Sequence, residues 1–202
     1  MDKSIKKIII TLATIIILIL MYFGAYLPLR KSQLYIGAMT GLQIKKMNSV
    51  QDFIDNFSPS LNFYSPVGQE EEVSYYVGGI LVNVINQQNN PQVIESLLKE
   101  SEKWFEPIIK SQKGFGVSQN LYNFAQLYLL TAQKLKSVAY LQKSIDLFNE
   151  GLKNSPNRYI FLEGIFSAYQ IVGDKTKIKE IGETILKYWP ENESVKGILK
   201  SL

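Results

Sequence analysis

The chain has 202 residues, with 22 basic and 18 acidic side chains and neither Cys nor His. Without Cys there are no disulfides, thiol nucleophiles or thiolate metal sites; without His the usual general base near neutral pH and the commonest transition-metal ligand are missing, which excludes most hydrolase arrangements. The net charge of +4 is unevenly spread: residues 1–46 carry seven basic groups (Lys3, Lys6, Lys7, Arg30, Lys31, Lys45, Lys46) against Asp2, giving +6, and the other 15 basic and 17 acidic groups give −2. Such an excess suits anionic lipid headgroups better than nucleic acid, because the remainder has no surplus positive charge to set against phosphates.

Residues 1–7 form a short basic tail. Ile8–Leu29 follows as 22 uncharged residues, IIITLATIIILILMYFGAYLPL, between Lys6-Lys7 and Arg30-Lys31. As a helix rising about 1.5 Å per residue this run matches the roughly 30 Å of a bilayer's hydrocarbon core, so a transmembrane helix is expected over 8–29. A cleaved signal peptide has a shorter apolar core and a small-residue cleavage site, which Gly24-Ala25-Tyr26 fits poorly. A buried core helix is rarely apolar on every face for so long. Tyr22, Phe23 and Tyr26 cluster at the distal end, as an interfacial aromatic belt does. Basic residues flank both ends; the count nearest the span favours the N-terminus inside. The expectation is a single-pass membrane protein with its folded part extracytoplasmic.

Residues 30–48 contain two Gly and no strong periodicity, so a juxtamembrane junction is expected there. The folded domain is assigned to 49–202. Ser49 and Asp52 resemble a capping box, and Val50, Phe53, Ile54 and Phe57 share one helical face. Ser58-Pro59-Ser60 should end that helix, leaving 58–68 as a loop. The next helix spans about 69–88, with Glu70, Glu71 and Glu72 in a first turn that favours negative charge. Three successive helical positions point about 100° apart, so these acids are expected on a solvated turn and not as a converging metal or base cluster. Val73, Tyr76, Val77, Ile80, Leu81 and Val84 form the apolar face. Gly78-Gly79 within it are explained either by close approach of a neighbouring helix or by an unoptimised interior.

Asn90-Pro91 signals a cap and a first-turn proline. Ile94, Leu97, Leu98, Trp104 or Phe105, and Ile108 face inward, with Pro107 expected to kink or shorten the helix. Helices at 118–134 and 137–153 bury Leu121, Phe124, Ala125, Tyr128 and Ala132, and Val138, Leu141, Ile145, Phe148 and Leu152. A helix from Ser155-Pro156 to about Val172 carries Leu162, Ile165, Phe166 and Tyr169. Gly173 ends it and Asp174 caps the next, lined by Ile178, Ile181, Ile185 and Tyr188. Trp189-Pro190 opens a last short helix with Val195, Ile198, Leu199 and Leu202. No segment keeps a period-2 alternation, so the class is all-α. Asn56-Phe57-Ser58 and Asn192-Glu193-Ser194 fit the N-glycosylation pattern.

Pro156 and Pro190 lie 34 residues apart, the tetratricopeptide period. Between them Leu162, Ile165-Phe166, Tyr169, Gly173 and Pro190 resemble that repeat's large apolar residue, paired positions, Tyr, turn Gly and closing Pro. Ile178, Gly182 and Ile185 depart from its usual Ala, Phe and Ala, and Phe166 replaces a small residue. The preceding pair, 118–156, matches Tyr128, Phe148 and Pro156 when about seven residues are added between its helices. The resemblance implies a TPR-like α-solenoid of antiparallel helix pairs behind the transmembrane helix. The first helix of each pair would line a concave partner-binding groove, which puts Gln119, Tyr122, Gln126, Glu163, Ser167 and Gln170 there.

A second stretch, Phe63 to Glu72, is similar to the segment that precedes the repeats in the C-terminal tail of O-antigen ligase/polymerase-type membrane proteins. The many-span glycosyl-transferring core of that family is missing here, so this resemblance implies envelope context and none of the catalysis. With no catalytic constellation, the expected function is a membrane-anchored scaffold for a protein or peptide partner at the cell envelope, not an enzyme. No cofactor, metal, nucleic acid or small-molecule substrate is expected. The alternative is an accessory subunit of envelope polysaccharide assembly or ligation.

Overall fold

The computed structural model describes residues 3–44, 50–112 and 116–202, and every element among them is helical. Backbone packing divides the chain into two compact units, residues 1–72 and 73–202.

The first unit begins with α1 (Lys3–Met21), a π-helical turn (Tyr22–Tyr26) and α2 (Leu27–Ile44), which run on without a break. None of the α1 side chains is buried. Residues 30–44 are therefore helical where a junction was expected. The periodicity that would have disclosed this is hidden by residue type: Leu27, Lys31, Ala38 and Gly41 fall on one stripe, but only Leu27 is strongly apolar. The stripe is covered by α3 (Val50–Leu61). Ala38 is buried beneath it, and the Asn56 amide donates to the Ala38 carbonyl at 2.7 Å. Gly41 lies at this approach, and a Cβ there would stand 2.5 Å from Asn56 Oδ1 and displace that amide. Phe53, Phe57 and Leu61 form the buried face of α3, the first two with ring centroids 4.8 Å apart.

Two expectations for α3 change. The helix does not stop at Ser58 but carries Pro59 in its last turn. A proline there forfeits a single hydrogen bond, and Asn62 N–H to Ser58 O at 2.9 Å closes the end. The Ser49 capping box lies outside the described residues.

The second unit is a succession of helices. α4 (Gln69–Tyr76) leads into it; a π-helical turn (Val77–Leu81) and α5 (Val82–Gln87) continue the same helix. Then come α6 (Pro91–Ser111), α7 (Val117–Leu135), α8 (Val138–Asn154), α9 (Tyr159–Val172), α10 (Lys175–Tyr188) and α11 (Glu193–Lys200). Contacts join α6 to α7, α7 to α8, α8 to α9, α9 to α10 and α10 to α11, and also α7 to α9. Asn90 caps α6 through Gln92 N–H and Asp174 caps α10 through Lys177 N–H, each at 3.0 Å. Gly173 takes the left-handed conformation (φ 76°) that ends α9.

The core is apolar and aromatic. Leu121, Phe124, Ala125, Tyr128 and Ala132 of α7 are all buried, and so are both Trp104 and Phe105 of α6. Between α8 and α9 two glycines and two phenylalanines interlock reciprocally. A Cβ on Gly151 would meet the Phe161 ring at 2.2 Å, and one on Gly164 would meet the Phe148 ring at 2.4 Å. The crossed pairing 148–164 and 151–161 fixes α8 and α9 antiparallel. Each fully buried Phe contributes about 1.5–3 kcal/mol by leaving water. Gly78 is explained by close approach, since its Cβ would fall 2.4 Å from Asn123 Nδ2 of α7; Gly79 faces open space.

Other expectations are corrected. α6 passes through Pro107 to Ser111, so that proline does not shorten it. α9 starts at Tyr159 and α11 at Glu193, each three residues beyond the proline thought to open it. Both prolines lie in turns, and Asn192 supplies the cap of α11 through Val195 N–H. Val138 is 80% exposed and Tyr188 43% exposed, where inward positions were expected. Each sits at a helix terminus, where the apolar stripe overruns the neighbour that would cover it. The buried residue near Val84 is Ile85, one position on.

Candidate interaction surfaces

Three of the six residues assigned to the groove are linked electrostatically. The Gln126 side chain hydrogen-bonds the Tyr122 hydroxyl one turn away on α7, and the Glu163 carboxylate of α9 acts on that hydroxyl through its charge. The Tyr122 ring lies against Phe148 and Phe161, with centroids 6.2 and 6.3 Å away. Burial of the ring raises the Tyr122 hydroxyl above its usual range; the Glu163 carboxylate adds to this and the Gln126 bond opposes it. The phenol therefore stays protonated and can donate. Glu163 also accepts from Tyr159 at 3.3 Å, and the Tyr159 oxygen accepts from Asn192 Nδ2 at 3.0 Å.

The other three residues lie around this cluster without joining it. Gln119 is exposed on α7 and donates to Asn123 Oδ1 at 3.1 Å. Ser167 is half-buried on α9 and Gln170 is exposed one turn further along. Sequence reasoning missed Asn123, whose amide donates to the Ser74 carbonyl and hydroxyl at 2.8 and 3.1 Å, and Arg158, which donates to Ser118 Oγ at 2.6 Å. Asn123 on α7 and Arg158 just before α9 gave no signal, because a polar residue looks solvated until its neighbour is known.

A second face opens between α6 and α8. Phe124 and Tyr128 form the floor of a cleft of about 350 Å³, bordered by Glu106, Lys110, Lys143 and Asp146. The Tyr128 hydroxyl donates to Glu102, and the Lys143 ammonium sits 5.1 Å from the Tyr128 ring centroid. Burial, then the Glu102 hydrogen bond and charge, push the Tyr128 hydroxyl far up. Its charges are mixed in sign.

The densest charge network lies in the first unit. Lys31, only 1% exposed, donates to Ser60 O (2.8 Å), Phe63 O (3.0 Å) and Gln69 Oε1 (2.6 Å), and pairs with Glu72 Oε2 at 3.0 Å. Ser60 Oγ donates to the same carboxylate at 3.2 Å, and Gln69 Nε2 donates to Leu61 O at 2.8 Å. This overturns two expectations: Lys31 is not an interfacial flanking charge, and Glu72 is not a solvated first-turn acid. Burial raises the Glu72 carboxyl above its usual range, while the Lys31 ammonium and the Ser60 hydroxyl pull it back.

Neither N-glycosylation pattern presents a free amide: Asn56 is committed to Ala38 O and Asn192 to Tyr159. Among the described residues no three acidic side chains gather in a way that could hold a metal ion. No protein-family model, curated protein or solved structure matches the chain significantly. Both resemblances therefore rest on this chain's own residues.

Proposed function

We propose that the protein is a single-pass, membrane-anchored scaffold whose TPR-like helical domain binds a protein or peptide partner through the α7–α9 face on the extracytoplasmic side. The observation that carries this reading is the direct packing of two alternate helices, α7 and α9, where the Tyr122 ring lies against Phe161. In a helical-repeat array the alternate helices that touch are those lining the inner surface, and that surface is where such arrays bind partners.

The geometry of the helix pairs supports the repeat. The starts of α9 and α11 are separated by the same 34 residues as the two prolines. Ser144 of α8 donates to Ala125 O of α7 at 2.8 Å, so small residues meet where the repeat has its closest crossing. The seven extra residues of the earlier pair become helix. α7 continues seven residues beyond Tyr128 where α9 continues three beyond Tyr169, and α8 takes six residues to reach Ser144 where α10 takes three to reach Ile178. The connecting turns are equal in length, so the insertion adds about one turn to each helix.

The anchor rests on one apolar helix long enough to cross a bilayer, with its apolar window unburied. The orientation rests on the basic residues nearest the span, Lys3, Lys6 and Lys7 with the amino terminus at one end against Arg30 and Lys31 at the other. The test is site-specific photo-crosslinking in intact membranes from Gln126 and Glu163, with exposed Gln142 of α8 as the comparison. The expected result is a discrete protein adduct from the first two positions and none from the third. Equal or absent crosslinking at all three would remove the groove from the account.

A further inference from the structure

In the loop between α3 and α4, residues 62–68, Asn62 is exposed and Phe63 half-buried, and the apolar side chains that follow turn outward. Tyr64 is 68% exposed and Val67 60% exposed, with Pro66 exposed between them. Ser65 is folded inward instead: it is buried and its hydroxyl accepts from Val67 N–H at 3.3 Å. Over residues 64–67 this inverts the usual order for a loop in water.

Where the loop stands follows from Lys31. Helical side chains slope toward the helix N-terminus, so the Lys31 ammonium lies over the preceding turn, level with Leu27–Leu29. Those are the last residues of the apolar run. The ammonium holds the loop's ends at that level through Ser60 O and Phe63 O on one side and Gln69 and Glu72 on the other. Leu27 is buried while Leu29 is 59% exposed, so protein and open apolar surface adjoin at this height. A lysine at the end of a span ordinarily reaches for the headgroups. Here its charge is turned into the protein, and Tyr64, Pro66 and Val67 occupy the neighbouring surface.

We infer that the 62–68 loop docks on the bilayer, with Tyr64 and Val67 at the boundary of headgroups and acyl chains beside the span. The inference rests on Ile8–Leu29 being a span. The partner is the lipid interface itself, recognised by apolar and aromatic partition. Charge is not the attraction, since Glu70 and Glu71 follow the loop directly, so zwitterionic lipid suffices.

The absence of Cys makes the test direct, because single nitroxide labels need no prior substitutions. The full chain is placed in phosphatidylcholine nanodiscs with labels at Tyr64→Cys, Val67→Cys, Ile17→Cys or Val138→Cys. All four positions are exposed, so the labels leave the packing intact. The readout is the ratio of collision with oxygen to collision with a water-soluble nickel chelate. The expected ratio at 64 and 67 is several-fold above that at 138 and of the same kind as that at 17. Water-like ratios at 64 and 67 with a lipid-like ratio at 17 would overturn the docking and leave the span standing. A water-like ratio at 17 would overturn both.

Discussion

The two units are held together by different physics. In residues 1–72 small residues and one buried lysine on α2 meet the Phe53, Phe57 and Leu61 face of α3, and specificity comes from four polar acceptors, drawn from residues 60–72, converging on a single ammonium. In residues 73–202 specificity comes from shape, with glycines opening notches that phenylalanine rings fill. A buried ion pair gains little over an apolar substitute but costs a great deal when half of it is removed. An interlocked core loses stability in smaller steps, because neighbours relax around each change. The first unit should therefore fail at one point, and the second gradually.

The largest effect is expected at that point. Lys31→Met leaves the Glu72 carboxylate buried without its cation, at a cost of about 3–5 kcal/mol to the local fold. Faster chymotryptic cleavage beside Phe63 and Tyr64 would report it. The double change Lys31→Met with Glu72→Leu should recover most of that loss; a double variant no better than the single would mean that the carbonyl contacts, not the pair, hold the loop. The same pair sets a pH dependence. An acid whose folded value is raised keeps its proton more readily when folded. Glu72 therefore favours the folded form at low pH, and this contribution is lost as pH rises from the usual 4.5 through the raised value. Comparing pH-dependent melts of the native chain and Glu72→Gln should show this slope only in the native chain.

In the second unit, Gly151→Ala or Gly164→Ala drives a methyl group into a phenylalanine ring, and each should cost about 1–3 kcal/mol, read as a lowered melting temperature by circular dichroism. Combining Gly151→Ala with Phe161→Leu should cost less than the sum, because the leucine vacates the notch. Asp174→Ala removes the cap of α10 and should cost about 1 kcal/mol. Val138→Ser should change stability by no more than about 0.5 kcal/mol, since that side chain is exposed. A loss of 2 kcal/mol or more there, on the scale of burying a whole aliphatic side chain, would restore the inward position that periodicity suggested.

Legibility in the sequence also differed between the units. One stripe of α7 was readable, because Leu121, Phe124, Ala125, Tyr128 and Ala132 repeat at helical spacing; the burial of Asn120, Leu127, Leu129 and Thr131 as well was not, because it depends on helices packing on more than one side of α7. Asn90, Gly173 and Asp174 marked helix ends, because caps act within a few residues of themselves. The face of α2 was unreadable for the opposite reason: Lys31, Ala38 and Gly41 are core residues only in the presence of α3. In the candidate groove, Tyr122, Gln126 and Glu163 could be assigned from repeat positions. That the Glu163 carboxylate of α9 acts on the Tyr122 hydroxyl of α7 depends on the packing of those two helices.

The sequence by itself determined the helical class, the apolar N-terminal run and the segregation of charge around it, since each depends on residues near one another in the chain. The fate of that charge was decided only by tertiary structure. Lys31 stands one residue past Arg30 in sequence, yet Arg30 faces water while Lys31 is enclosed by carbonyls and a carboxylate from residues 60–72. No local pattern separates the two, because the energy of burying a charge is set by the groups that surround it, and those arrive from 29 or more residues away.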